Sequence, residues 1–161
     1  MNAEPILVHA TEISDAWTDY NGHMNVAYYV LVFDHGTDGF LELVGLDAEF
    51  RGRTGSSVFV AEAHVTYDQE VMAGESVYVT SQVLGFDAKR LHLFHRMHRH
   101  LDGVQLASNE VMILHVDLKT RRVAPFPDNL ARRIADIAAS QRRLPPPAEA
   151  GRRIAIPVRD A

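Results

Sequence analysis

The sequence predicts an α+β fold in which one long helix packs against an antiparallel sheet. Apolar residues between Val26 and Val44 recur at spacings of three and four, which is the period of an amphipathic helix. From Val58 onward the apolar residues alternate instead, which is typical of strands. The segments Gly85–Lys89 and Asp102-Gly103 are hairpin turn signals, and hairpins join antiparallel neighbours.

The elements at the start of the chain are short. Residues 6–13 form a β-prone run, and residues 16–18 either continue this run or cross the sheet. A polar loop from Thr18 to Asn25 then leads into the helix. Asn25 is a good N-cap and Gly45 a natural stop, so the helix is expected over residues 26–44.

Four strands and a second helix are expected after the long helix. The first strand covers 58–68, with Glu62 and His64 on the same face as Val58 and Val60. The others cover about 77–83, 91–98 and 104–117. A second helix runs from Asp128 to about Arg143, and three prolines end it. We therefore predict one domain over residues 1–144 and a mobile or loosely docked tail over residues 145–161.

Composition excludes several kinds of function. The chain of 161 residues contains no cysteine, which excludes disulfides, thiolate metal sites and a cysteine nucleophile. Its net charge of -5 predicts no general surface for nucleic acid. No apolar run approaches the ~18 residues of a membrane span, and no targeting segment is evident, so a cytoplasmic protein without a membrane partner is expected.

The loop before the long helix is the strongest candidate for chemistry. The first backbone N–H groups of a helix have no intrahelical partner, and the helix dipole places partial positive charge there. Asp19 and His23 lie just upstream, so an acid/base group and donors to an oxyanion are expected close together. A purely structural alternative is that the Asp19 side chain only closes a turn.

A family resemblance sharpens this hypothesis. The run from Asp19 to Asn25, with Tyr28 and Tyr29 on the helix that follows, resembles the Asp-x-x-Gly-His-x-Asn signature of hotdog-fold acyl-CoA thioesterases of the 4-hydroxybenzoyl-CoA thioesterase type. The resemblance covers about residues 5–140. More narrowly, Tyr-Asn-Gly-His-Met-Asn-Val-Ala-Tyr-Tyr is similar to the small thioesterases of carnitine breakdown, which implies betainyl-CoA as the substrate.

The resemblance implies a role for each loop residue. Asp19 is the expected nucleophile or general base, and the N–H of Val26 or of its neighbour is the expected oxyanion donor. Gly22 permits close approach or a positive φ. His23 and Asn25 are expected to fix the loop and to orient the carboxylate or water. Two rival functions remain open: a hotdog dehydratase or hydratase, and a non-catalytic acyl-CoA-binding protein.

Several further residues are candidate substrate contacts. Aromatic faces bind quaternary ammonium groups, although aromatic residues are more often core. Carboxylates at Asp34 and Asp38 either face the site from the helix or belong to its solvated face. The candidates for the acyl group are Trp17, Tyr20, Tyr28, Tyr29, Glu62 and His64. The candidates for the coenzyme A phosphates are Arg51, Arg53, Lys89 and Arg90.

No metal or separate cofactor is expected, since coenzyme A enters as part of the substrate. Histidines crowd the third strand after the helix, and His98 and His100 project to the same side. This spacing is compatible with a metal, but no carboxylate lies at a suitable distance in sequence, and an exposed histidine-rich strand needs no metal. A sheet with one helix keeps an uncovered face and an edge, so a homodimer or homotetramer is expected. Hotdog thioesterases place their active sites at a dimer interface.

Overall fold

The structure is a computed structural model, and it describes residues 4–156. Its long helix α1 spans Val26–Val44, as the apolar period predicts. The Asn25 side chain accepts a hydrogen bond from the Ala27 N–H, and Gly45 ends the helix with a φ of 90°. The predicted start and stop of this helix are confirmed.

The predicted strands and the predicted second helix occur in the expected order with small shifts of their ends, whereas a 3-10 helix, a short helix after α1 and a two-residue strand were not predicted. A short 3-10 helix (Asp15–Trp17) stands between the first strand and the loop. The other elements are β1 (Ile6–Glu12), α2 (Ala48–Thr54), β2 (Ser56–Tyr67), β3 (Ser76–Phe86), β4 (Arg90–Arg99), β5 (Gln105–Asp117), β6 (Arg122–Val123) and α3 (Asp128–Gln141).

The strands form one antiparallel sheet in the order β1-β3-β4-β5-β2, with β6 paired to the end of β5. We call the face that packs against α1 the inner face and the opposite face the outer face. Leu91, Leu93 and Met97 of β4 point to the inner face and are buried. Phe33 and Phe40 of α1 are buried against this face. The α+β prediction, with a sheet around a long helix, is confirmed.

A close contact between α1 and β1 fixes the position of the helix. Val8 is an extra residue in β1, because the pairing with β3 shifts between Leu7 and His9. A Cβ atom at Gly39 would overlap the carbonyl oxygen of Val8. A Cβ atom at Gly36 would lie 2.9 Å from Val79 on β3. The helix therefore approaches the sheet closely where it has no side chain.

A bulge in β2 corrects the predicted alternation of that strand. Val60 is paired with Ile113, but Glu62 is paired with Met112, so Ala61 is the extra residue. An extra residue reverses the face of everything beyond it. Glu62 and His64 therefore lie on the outer face, away from α1, and the prediction that they share a face with Val58 and Val60 is wrong.

The C-terminal segment crosses the outer face of the sheet. Pro145 accepts a hydrogen bond from Gln82 of β3, and Glu149 pairs with Arg96 of β4 at 3.3 Å. The Gly151 N–H then donates to Glu110 of β5 at 2.7 Å. Of the two expected states of the tail, mobile or loosely docked, residues 145–151 therefore fit the docked one, and residues 157–161 lie outside the described residues. The division of the chain at residue 144 remains a prediction.

Candidate active site

The loop before α1 is a small closed hairpin. Thr18 bridges to Met24, the Asp19 N–H donates to the His23 carbonyl, and the Asn25 N–H donates to the Trp17 carbonyl, the last two at 2.9 Å. Gly22 turns the chain with a φ of 78°, as expected for this glycine. These bonds hold Asp19 and the start of α1 together on one rigid turn.

The Asp19 side chain is half buried and has two different oxygen atoms. Its Oδ1 accepts a hydrogen bond from the Asn21 N–H at 2.8 Å, which is the turn-closing role considered above. Within residues 4–156, no N–H or O–H group donates a hydrogen bond to Oδ2. The carboxylate is thus fixed through one oxygen, and the other oxygen is available to a substrate or to water.

His23 points to a different partner. Its Nδ1 lies 3.3 Å from an Oε2 oxygen of Glu70, in the segment between β2 and β3. The His23 backbone also bridges to Met72 in that segment. These contacts tie the loop to the segment between β2 and β3, which fits the expected role of His23 in fixing the loop; the catalytic role of Asp19 stays a prediction. Sequence spacing did not indicate Glu70.

The N-terminus of α1 has one unused donor beside the loop. The Asn25 side chain occupies the Ala27 N–H at 3.0 Å, and its carbonyl accepts from Tyr28 at 2.9 Å. In the part of the chain that the structure describes, the Val26 N–H has no acceptor. Of the two predicted oxyanion donors, Val26 fits the geometry, whereas its neighbour Ala27 is occupied by the cap.

The aromatic residues near the loop do not form a cage. The Trp17 and Tyr28 rings stack on each other, with centroids 5.7 Å apart and planes 14° apart. Tyr29 is buried, donates to the Gln69 carbonyl at 3.1 Å, and has its pKa raised by burial. Tyr20 is 97% exposed. A cage of converging ring faces is absent from this end of the molecule as described, and Tyr29 is a core residue.

Glu62 and His64 belong to another part of the surface. They line an outer-face depression of about 380 Å³ together with His92, Glu110 and the backbone near Gly151. His92 and Glu110 are hydrogen-bonded there at 2.7 Å. The β2 bulge thus separates both residues from the inner face, and their assignment as substrate contacts within one chain does not fit this geometry.

The four basic residues lie at the far end of the sheet from Asp19. Arg51 and Arg53 are on α2, beyond the C-terminal end of α1, whose 19 residues span about 28 Å. Lys89 directly precedes β4 and Arg90 is its first residue, whereas the opposite end of β4 is nearer the loop. Arg90 is also paired with Asp87 at 2.6 Å. Within one chain, these residues and Asp19 do not form a single site.

A groove runs along α1 beside the edge strand β2. It has a volume of about 400 Å³ and begins at Ala27, the residue directly after Val26. Asp34, Thr37 and Asn109 are its polar lining residues, and no Lys or Arg lines it. Its walls are otherwise aliphatic, from Ala27, Val30, Leu31, Val60, Ala63 and Val111.

A row of buried polar side chains crosses the inner face next to this groove. Ser81, His95 and Asn109 are register partners on β3, β4 and β5. His95 is bonded to Ser81 at 2.6 Å and to Thr37 of α1 at 3.1 Å, and burial lowers its pKa to about 4. The Oδ1 oxygen of Asn109 is buried with no partner among the described residues.

Sequence reasoning did not single out Asn109, although a signal was present. Alternate residues of β5 point to the inner face, and Asn109 is a polar residue among the apolar Ala107, Val111 and Ile113. A polar residue in such a row requires a partner, which is a reason to suspect a ligand or a network. Of the three histidines of β4, His95 is buried, His98 stacks on Tyr78, and His92 bonds Glu110 on the outer face.

No group of three or more His, Cys, Asp or Glu residues suited to a metal ion occurs within residues 4–156. His98 stacks on Tyr78 with ring centroids 5.1 Å apart, and His100 meets the edge of the same ring at 6.2 Å. These two side chains therefore have an aromatic partner on the neighbouring strand.

A model of the thioesterase-like superfamily matches residues 13–134. The chain belongs to this superfamily. This membership confirms the resemblance of the loop to hotdog thioesterases and the prediction of a thioester hydrolase. The matched region includes the loop, α1 and all strands from β2 to β6.

Two proteins of known name are similar to almost the whole of this chain. One is the betainyl-CoA thioesterase of Pseudomonas aeruginosa, which is 39% identical over 155 residues, covering 96% of this chain and 98% of the relative. The other is an L-carnitine dehydrogenase/betainyl-CoA thioesterase of Ruegeria pomeroyi, which is 40% identical over 96% of this chain. The match covers 31% of that longer protein.

Solved structures agree with the fold. A hypothetical protein from Staphylococcus aureus, determined in complex with CoA, superposes with a TM-score of 0.88 and is 32% identical, covering 98% of this chain and all of that chain. A 1,4-dihydroxy-2-naphthoyl-CoA thioesterase from Synechocystis superposes with a TM-score of 0.71 at 16% identity, covering 80% of this chain and 94% of that chain. The second likeness shows the hotdog fold alone.

Within residues 4–156, no helix is long and apolar enough to cross a membrane. The long helix α1 instead buries its apolar side against the inner face of the sheet.

Proposed function

We propose that this protein hydrolyses an acyl-CoA thioester with Asp19 as the catalytic carboxylate, and that betainyl-CoA is its substrate. The observation that carries the proposal is that one closed loop holds both an available Asp19 Oδ2 oxygen and, where it enters α1, the unoccupied Val26 N–H. Two relatives named for betainyl-CoA thioesterase activity, and a similar structure determined with CoA, support the substrate class.

The two groups supply what thioester hydrolysis requires. An oxygen nucleophile adds to the thioester carbonyl carbon, and the oxyanion that forms accepts a hydrogen bond from the Val26 N–H. The C–S bond then breaks, and the coenzyme A thiolate takes up a proton. Water supplies the oxygen of the free acid, either by direct attack with Asp19 as base or by cleaving an Asp19 anhydride.

The neighbouring residues hold this arrangement. Asn25 caps α1 through Ala27 and so leaves Val26 as the donor nearest the loop. His23 anchors the loop to the segment before β3 through Glu70. The Asn21 N–H fixes one oxygen of Asp19, while the other has no donor within residues 4–156. Each contact limits the motion of a group that must meet the thioester.

We propose a homodimer formed through the free edges of β2. This edge strand carries half-exposed apolar residues, including Phe59 at 54% and Val60 at 48%, and exposed edges favour pairing. In an antiparallel two-fold pairing, the Ser56 end of one strand lies beside the Tyr67 end of the other. The partner subunit's Arg53, just before Ser56, would then approach this subunit's loop and could bind a coenzyme A phosphate.

The primary test is thiol release from betainyl-, acetyl-, hexanoyl- and benzoyl-CoA by wild type and Asp19→Asn. We expect betainyl-CoA to be the best substrate and the variant to lose on the order of a hundredfold in kcat. Asp15→Asn is a matched control, because Asp15 is an exposed aspartate in the preceding 3-10 helix. Its activity should stay within about twofold of wild type.

The rival functions give different results in the same experiment. A dehydratase or hydratase would change the acyl group without releasing thiol. A non-catalytic binding protein would bind the CoA esters but release no thiol, and Asp19→Asn would make no difference. Either result would refute the thioesterase proposal.

A further inference from the structure

We infer that the groove between α1 and β2 is the acyl-binding subsite, and that Asp34 and Asn109 select a compact cationic acyl group there. This inference rests on the proposed thioesterase function and adds the residues that determine substrate choice. Three properties of the groove support it: its position next to Val26, the negative charge of Asp34, and the buried Asn109 oxygen that has no hydrogen-bond partner within residues 4–156.

The position of the groove suits the acyl end of a thioester. Its nearest helical residue, Ala27, follows Val26, so a thioester whose carbonyl meets the Val26 N–H lies at the groove entrance. Beyond this entrance the groove follows two turns of the helix past Val30 to Asp34. An acyl group can therefore enter while the coenzyme A portion stays outside.

The charge of the groove favours a cation. Asp34 is the one charged residue among the described residues that line it, and the remaining wall is mostly aliphatic. Asp34 is solvent-exposed at the rim of the groove, so water partly screens its charge, but a carboxylate at contact distance still favours a cationic acyl group over a neutral one. A trimethylammonium group matches both properties, because its methyl groups pack against aliphatic walls while it carries a full positive charge.

Asn109 is an independent sign of a ligand. It is 5% exposed and its Oδ1 has no partner within residues 4–156, although such groups are almost always paired. The neighbouring Thr37 hydroxyl cannot donate to this oxygen, because it already donates to the Phe33 carbonyl. An amide oxygen can instead face the polarised methyl groups of a quaternary ammonium through C–H···O contacts.

The alternative site for such a cation would be the aromatic residues of the loop. Trp17 and Tyr28 cover one face of each other by stacking, and Tyr29 is buried. Tyr20 is almost fully exposed and is in none of the aromatic pairs formed within residues 4–156. The groove offers both a negative charge and a buried acceptor, so the structure favours it over the loop.

The test compares betainyl-CoA with 3,3-dimethylbutyryl-CoA, in which a carbon atom replaces the ammonium nitrogen. The two acyl groups have nearly the same shape and differ in charge. The readout is the ratio of their kcat/KM values, which cancels general damage to catalysis. We expect wild type to prefer betainyl-CoA.

Three variants assign the preference to residues. Asp34→Asn should lower the ratio by about tenfold through loss of one charge interaction. Asp38→Asn is the matched control, because Asp38 is an exposed aspartate one turn further along α1 that does not line the groove. Asn109→Leu should also lower the ratio without lowering the urea midpoint, since it replaces an unpaired buried oxygen with hydrocarbon.

The outcomes separate this inference from the proposed function. If wild type hydrolyses neither ester, both ideas fail. If wild type hydrolyses betainyl-CoA but the ratio is the same in Asp34→Asn, the thioesterase proposal survives and the inference is overturned. A purely structural Asn109 would show a lower urea midpoint in Asn109→Leu with an unchanged ratio, which would remove that residue from the subsite.

Discussion

Acidification should destabilise this protein through His95. This residue is fully buried on the inner face, where it joins Ser81 of β3 to Thr37 of α1. The Thr37 hydroxyl donates to the Phe33 carbonyl, so it must accept from His95 Nε2–H. The Ser81 hydroxyl then donates to Nδ1. The network is satisfied by a neutral imidazole, and protonation would place an unpaired charge in the core.

The size and sign of the effect follow from the pKa. Burial lowers the pKa of His95 from 6.5 to about 4. The unfolded chain therefore binds more protons than the folded chain between these two values, and stability rises with pH across this window. At about 1.4 kcal/mol per pH unit, His95 alone accounts for a loss of roughly 3 kcal/mol as pH falls from 6.5 to 4.

Urea unfolding at several pH values between 4 and 7.5 measures this loss. His95→Gln should be less stable than wild type at pH 7 but should lose less of its stability on acidification. Burial also lowers the pKa values of His9 and His98, which are present in both proteins. The contribution of His95 is therefore the difference between the two proteins in how steeply the free energy of unfolding changes with pH. Equal slopes for the two proteins would refute the reasoning.

Three further substitutions probe the scaffold of the site. Gly39→Ala should lower the free energy of unfolding by about 3 kcal/mol or more, because its methyl group would overlap the Val8 carbonyl. The control Gly52→Ala, whose methyl group on α2 would meet nothing within 4 Å, should raise it by about 0.5–1 kcal/mol. Equal urea midpoints for the two variants would contradict the close approach of α1 to β1. Gln141→Leu should lower the free energy of unfolding by about 3 kcal/mol, because the buried Gln141 amide accepts from the Val83 N–H and donates to the Ser81 carbonyl of β3. Unchanged protection of the Val83 N–H in hydrogen exchange would disprove this prediction. Asn25→Ala should cost about 1 kcal/mol by thermal melting, and a larger loss of thiol release than of stability would tie the cap to catalysis.

The local parts of the fold were predictable from the sequence because their causes are local. The period from Val26 to Val44, the cap at Asn25 and the stop at Gly45 act within a few residues of one another. The hairpin at Asp102-Gly103 follows from turn chemistry in the same way. The loop from Asp19 to Asn25 was predictable for the same reason, since its residues are adjacent in the chain.

Features that depend on tertiary packing were not predictable from periodicity. Strict alternation misplaced Glu62 and His64, because the extra residue Ala61 is identified only by its pairing with β5. Docking of residues 145–151 depends on single polar contacts, such as Arg96 with Glu149, and leaves no apolar period in the sequence. The unpaired Asn109 oxygen likewise depends on how β5 and α1 meet.

The stacking of Trp17 on Tyr28 provides an optical signal. Trp17 is the only tryptophan in the chain, and it lies two residues before Asp19. Tryptophan emission excited at long wavelength therefore comes from one residue directly before this loop, bonded to it through its carbonyl, without a mutation or an attached dye. Binding of a CoA ester, or loosening of the loop in a variant, can be followed by fluorescence in the unmodified protein.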